Sequence, residues 1–113
     1  MFYRIQQAND PAERILEPGQ RSYDWNGLDE YRNGVSACES IEELGTYLAQ
    51  VGIPYGDGDW NLICFEGHYA DEDDLDADLG AVLTEPTAII SVEPMVDNEE
   101  IWEAIDAAFE MAA

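Results

Sequence analysis

The chain has 113 residues, 46% of them hydrophobic, with 26 Asp and Glu against four Arg and no Lys, for a formal net charge of −22. That length and apolar share suit one small domain, residues 1–113, with a core of its own. A surface so short of cations has no basic patch with which to bind DNA, RNA or an anionic membrane directly, and the same imbalance favours a basic partner.

Phe2 to Ile5 is an apolar and aromatic run that reads as a first strand. Met1-Phe2-Tyr3-Arg4 starts no apolar stretch of signal-peptide length, and no run later in the chain is long enough to span a bilayer, so a cytoplasmic protein is expected. Asp10-Pro11-Ala12-Glu13 predicts a helix start: Asp10 as cap, Pro11 in the first helical position and Glu13 closing a capping box. Pro18-Gly19 ends that helix after about two turns. Gln20 to Asn33 is polar and aromatic and reads as an irregular segment, with turns at Asn26-Gly27 and Asn33-Gly34.

Asn33 to Gln50 carries the strongest local signal. Val35, Ala37 and Cys38 suit a buried strand. Ser40 caps a helix with Glu43 three residues on, and Ile41, Leu44, Tyr47 and Leu48 recur at helical spacing. Val51 to Asp59 holds three glycines and a proline and reads as a loop. Trp60 to Phe65 is near-continuously apolar, the pattern of a central strand covered on both faces. His68 to Asp78 reads as an acidic loop, Ala81 to Leu83 as a short strand, and Thr87 to Val92 as another strand bounded by Pro86 and Pro94. Asp97 is expected to cap a last helix with Glu100 at its third position and an apolar stripe of Ile101, Trp102, Ile105, Ala108, Phe109 and Ala112. The predicted fold is a single small α+β domain: one mainly antiparallel sheet of three to five strands, packed by two or three helices.

Catalytic and metal chemistry find little to work with. Cys38 and Cys64 lie in apolar strand contexts, where a thiol stays neutral and inert, and are expected as reduced core thiols; a disulfide between neighbouring strands is the alternative. A Cys64–His68 pair is conceivable by proximity, but a lone loop histidine is more often just solvated. Two Cys and one His are too few for a structural zinc site. Asp74, Asp76, Asp78 and Glu85 fall at positions 1, 3, 5 and 12 of an EF-hand loop, yet Leu79 stands where the loop needs glycine, and Pro86 follows where a helix should run. Weak calcium binding is the expectation there. No resident cofactor is expected from the residues themselves.

The excess of charge is concentrated in Asp71, Glu72, Asp73, Asp74, Asp76 and Asp78, with Glu66 before them and Asp57 and Asp59 in the glycine-rich loop. Most such runs are solvated loops. On a rigid scaffold, the same carboxylates can imitate a row of phosphates and occupy the basic groove of a nucleic-acid-binding protein, with Tyr69, Trp60 and Tyr55 as aromatic anchors. In size and charge the chain resembles phage-encoded inhibitors of host defence, such as anti-restriction and anti-CRISPR proteins. Adaptation to a salty cytoplasm, or a high-GC genome that suppresses Lys codons, would give the same composition without a binding role.

Arg4 in the first strand, Ser36 in Gly34-Val35-Ser36-Ala37 before a helix, and the late Gly80-Ala81-Val82-Leu83-Thr84-Glu85-Pro86-Thr87 segment together resemble an eroded ADP-ribosyltransferase-type domain of the R-S-E pattern. The resemblance implies NAD held near Arg4 and Ser36. The third element departs from the pattern, since Glu85 follows the strand-like segment and Asp78 precedes it, so binding without transfer is what the resemblance implies. The expected function is that of a non-enzymatic, acidic protein that binds and inhibits a basic, nucleic-acid-binding partner through Asp57, Asp59, Glu66, Tyr69 and the run from Asp71 to Asp78.

Overall fold

The structure is a computed structural model that describes residues 1–17, 21–23, 31–51, 58–70 and 80–112. In chain order the elements are β1 (Phe2–Gln7), a 3-10 turn (Ala12–Leu16), β2 (Arg21–Tyr23), β3 (Tyr31–Asn33), β4 (Val35–Ala37), α1 (Ile41–Val51), β5 (Trp60–Tyr69), β6 (Val82–Pro94), a second 3-10 turn (Met95–Asp97) and α2 (Glu99–Ala112). Four strands form one sheet in the order β1-β5-β6-β4, with every pairing antiparallel. β2 and β3 form a separate two-stranded ribbon. This is the α+β domain that the sequence predicts.

The sheet curls. β1 and β4 are its two edges, yet Cys38, just past β4, bridges back to Tyr3 through paired backbone hydrogen bonds of 2.8 and 2.9 Å. An open sheet in this order would hold those residues several strand spacings apart. The closure creates an inner face, where Phe2, Val35, Ala37, Ile63 and Phe65 from different strands meet with Ala12 and Ile15 of the first turn. The other face carries Ile5 and Leu62 and is covered by Leu44, Tyr47 and Leu48 of α1 and by Ile101 and Ile105 of α2. β5 is central and buried on both faces, as its composition predicts: Ile63 and Phe65 are 0% exposed and Leu62 is 3%.

The helix pair fits because of two small residues. A Cβ added at Gly45 of α1 would overlap Ala104 of α2, so the helices cross with their backbones in near contact. Ser40 caps α1 as expected: its hydroxyl accepts the Glu43 N–H at 3.1 Å and donates to the Glu43 carboxylate at 3.2 Å.

Several boundaries differ from the sequence reading. The helix expected from Asp10 is a five-residue 3-10 turn with Pro11 at its cap, and Asp10 does not cap it. With Pro18-Gly19 ahead there is too little chain to nucleate an α-helix; Asp10 instead accepts from Arg14 at 2.8 Å. The segment from Gln20 to Asn33, expected as irregular, contributes β2 and β3. The turn at Asn26-Gly27 lies outside the described residues. α2 is capped by Asn98, whose side-chain oxygen accepts the Ile101 N–H at 2.8 Å, because Asp97 is taken up by the preceding 3-10 turn. Phe109, expected in the apolar stripe, is 50% exposed and so lies outside the buried face of α2.

The largest differences are in the two long strands. β5 continues through Glu66 to Tyr69, so His68 is a strand residue facing Glu85 across the ladder, not a loop residue. The two short strands expected at 81–83 and 87–92 are one thirteen-residue strand. Pro86 is accommodated because Thr87 is an extra residue beside the Glu66/Gly67 step, and Ile90 is another beside the Cys64/Phe65 step. A bulge is where a strand tolerates a proline. Gly67 is the matching concession, since a Cβ there would run into the Glu85 carbonyl.

Candidate functional site

The sequence-predicted partner surface is only partly within view. Asp57, Asp71, Glu72, Asp73, Asp74, Asp76 and Asp78 lie outside the described residues. Asp59 is exposed at the start of β5, where its carbonyl accepts the Ala8 N–H at 2.9 Å. Glu66 and Tyr69 are exposed near the far end of the same strand. At about 3.3 Å per residue, Asp59 and Tyr69 stand roughly 30 Å apart, so the strand separates them rather than gathering them. The Tyr69 ring is held edge-on to Phe2, with centroids 5.7 Å apart and planes at 81°, leaving it 60% exposed. Glu85, the last of the calcium-ligand candidates, is exposed in β6, with strand continuing to Pro94. No cluster of three or more metal-ligating His, Cys, Asp or Glu side chains forms among the described residues.

What the structure adds is a groove between the helices. It has a volume of about 600 Å³ and is lined by Glu39 and Glu42 from the start of α1, by Glu100 and Glu103 from α2, and by Tyr3, Ile41 and Ala104. Two capped helix starts bring these carboxylates together. Glu42 and Glu100 sit in the first turns of their helices, where the helix dipole favours anions. Read one helix at a time, the acids are explained by capping physics. Only the crossing at Gly45 and Ala104 places both sets on one concavity, and that tertiary fact is why sequence reasoning missed them. The available signal was the repetition of an acidic first turn on two amphipathic helices.

The groove is electrostatically one-sided. All four glutamates are exposed, and the only ion pair among the described residues is Arg14–Asp10, elsewhere on the surface. Its field reaches the titratable groups beneath. Burial pushes the Cys38 thiol up to about 12, and Glu43 and Glu39 add to the shift. Tyr3 is raised by burial, by Cys64 and by Glu100. Both cysteines are free and buried, as expected of core thiols. Held protonated so firmly, the Cys38 thiol is no nucleophile at neutral pH.

Arg4 and Ser36 do come together. Arg4 projects from β1 on the inner face, opposite Ile63, and its Nη1 donates to the Ser36 carbonyl at 3.3 Å across the sheet closure. The contact uses the serine's backbone. The Arg4 Nε is buried without a hydrogen-bond partner among the described residues. Burial lowers the guanidinium pKa, with Asp10 pulling in the opposite direction.

No family model, no curated protein and no solved structure matches the chain. No helix among the described residues is long and apolar enough to cross a membrane.

Proposed function

We propose that this is a non-enzymatic, acidic interaction protein of the cytoplasm that binds a basic, nucleic-acid-binding protein and inhibits it by occupying the surface its nucleic acid would use. The observation that carries this reading is the groove between α1 and α2, where four exposed glutamates rim an apolar floor with no cation beside them among the described residues. An arginine or lysine of a partner would lay its aliphatic stem on Ile41 and Ala104 and its charge among the carboxylates. The formal charge of −22 supplies the long-range attraction that makes such an association fast and salt-sensitive. A phage anti-defence role fits this chemistry, since a defence nuclease presents the basic groove that a phosphate mimic would fill.

The test is partner capture at low and at high salt, followed by elution with duplex DNA. Captured basic proteins should be released by DNA and by salt. Changing Glu39, Glu42, Glu100 and Glu103 to Gln, or Asp71, Asp73, Asp74, Asp76 and Asp78 to Asn, should weaken capture. Capture that neither DNA nor neutralisation disturbs would sink the proposal.

A second reading rests on the Arg4–Ser36 contact. In a degenerate ADP-ribosyltransferase-like domain those two residues would hold NAD; what favours this reading is that they approach across the sheet closure, through the Arg4 guanidinium and the Ser36 carbonyl. Calorimetric titration with NAD decides it. Binding that is lost in Arg4→Met would favour this reading, and absence of binding removes it.

A further inference from the structure

Among the described residues, the outer edge of β6 lacks a strand partner over most of its length. β4 pairs only with Val82–Thr84, whereas β5 holds the other side of β6 as far as Pro94. From Glu85 onward, then, one row of β6 backbone groups has no strand partner among the described residues. Along this stretch the bulge residue Ile90 is 48% exposed and Val92 is 43% exposed, and Val96, just beyond, is 72% exposed. An open edge with β-branched apolar side chains is a template for another strand.

Natural edges are guarded by lysines, prolines, bulges or a covering segment. Here the chain has no lysine at all. Two bulges and the flanking Pro86 and Pro94 shorten the usable template, and the 3-10 turn packs beside part of β6 but leaves Ile90 and Val92 exposed. The remaining guard is negative charge: Glu85 and Glu93 lie in the strand, and Glu13 and Glu17 lie on the 3-10 turn that packs beside β6. Arg14, the cation of that turn, is already bonded to Asp10. This charge selects the occupant. A second copy would bring another net charge of −22 against these carboxylates, whereas an extended segment bearing Lys or Arg would neutralise them.

We infer that the Glu85–Pro94 edge of β6 accepts an extended, basic segment of a partner protein by strand addition, with backbone hydrogen bonds giving the register and Ile90 and Val92 giving apolar contact. The basic character of the occupant rests on the proposed function; the strand addition rests on the bare edge alone. Because the template is short, the backbone pairing is a modest term to which charge adds.

The experiment uses the isotope-labelled whole chain and three blocked peptides: one of alternating lysine and valine, the same peptide N-methylated at alternate backbone positions, and one of alternating serine and valine. The lysine peptide should shift and protect the amides of residues 85–94. N-methylation should weaken it by about tenfold or more, and Ile90→Lys or Val92→Lys should weaken it again. Equal affinity of the N-methylated peptide, or shifts confined to the groove between the helices, would overturn strand addition and leave the proposed function standing. Equal affinity of the serine peptide would support strand addition and overturn the basic partner. If no peptide binds, strand addition falls, and the proposed function is decided by its own capture test.

Discussion

On the helical face of the sheet, Leu44, Leu48, Ile101 and Ile105 close over Ile5 and Leu62, and the two helices cross so tightly that one position must be glycine. On the inner face, Phe2, Ile63 and Phe65 share their enclosure with Arg4, Gln6 and Thr84. Those polar groups are served by backbone. Gln6 donates to the Asp10 and Pro11 carbonyls at 3.2 and 3.0 Å, Thr84 to the Val35 carbonyl at 2.8 Å, and Arg4 to the Ser36 carbonyl at 3.3 Å. The difference follows from what covers each face. A helix has spent its own carbonyls and offers only side chains, so its face must be apolar. A short turn and a curled edge leave carbonyls pointing inward, and polar side chains can be buried against them. Charge divides in the same way: the helical side gathers carboxylates on its rim, while the inner side holds a guanidinium.

The largest expected effect lies on the helical face. Ile101 is 0% exposed, and Ile101→Ala should lower stability by about 2–5 kcal/mol in urea unfolding. Gly45→Ala comes next. Intrinsic propensity alone would favour alanine in α1 by about 1 kcal/mol, but its Cβ would meet Ala104 and the backbone behind it. A net loss of about 1–3 kcal/mol is expected from overpacking, and a gain in stability would mean that the helices do not cross so closely. The inner face should respond in the opposite sense. Arg4→Met removes a half-buried charge that has, among the described residues, one long hydrogen bond and a buried Nε without a partner. Its stability should be unchanged or higher by about 1 kcal/mol. A loss as large as that of Ile101→Ala would mean that Arg4 has a strong partner and that the two faces are built alike.

The contrast also marks what was legible in the sequence. Elements whose signal is local were readable: the Ser40 cap and the stripe of α1, the two-sided apolarity of β5 and the amphipathic α2. What failed depended on chain distant in sequence. Pro86 looks like a terminator until Gly67, on the neighbouring strand, is seen to make room for a bulge. Asp97 is as good a cap as Asn98 until the 3-10 turn claims it. Arg4 and Ser36 could be paired only by resemblance, and the curl that joins them is closed by Tyr3 and Cys38, neither of which carries a polar signature for it. The acidic groove was the least readable, because each half of it has a sufficient local explanation.

The effect of pH is the cleanest to measure. With no lysine in the chain, the alkaline range is free of ammonium side chains that would mask Cys38 and Tyr3. Cys38 moves from an ordinary 9.0 to about 12, chiefly by burial and then through Glu43 and Glu39, and Tyr3 is raised from 10.0 in the same sense. A raised value means that the folded state keeps a proton which the unfolded chain gives up. In that window the unfolded state binds fewer protons, so the contribution is fully present below about pH 9 and is lost as pH rises toward about 12, by at most about 1.4 kcal/mol per pH unit per group. Urea midpoints should therefore fall between pH 8 and pH 11, and Cys38→Ala should make that fall shallower whatever it does to the midpoint at neutral pH. Cys38 should also resist alkylation in the folded protein. A midpoint that holds level across the window, or a Cys38 that alkylates at the rate of a free thiol, would place the thiol outside the apolar, acid-flanked setting beneath the groove. The groove's floor and rim would then need to be redrawn before its glutamates are credited with holding a partner.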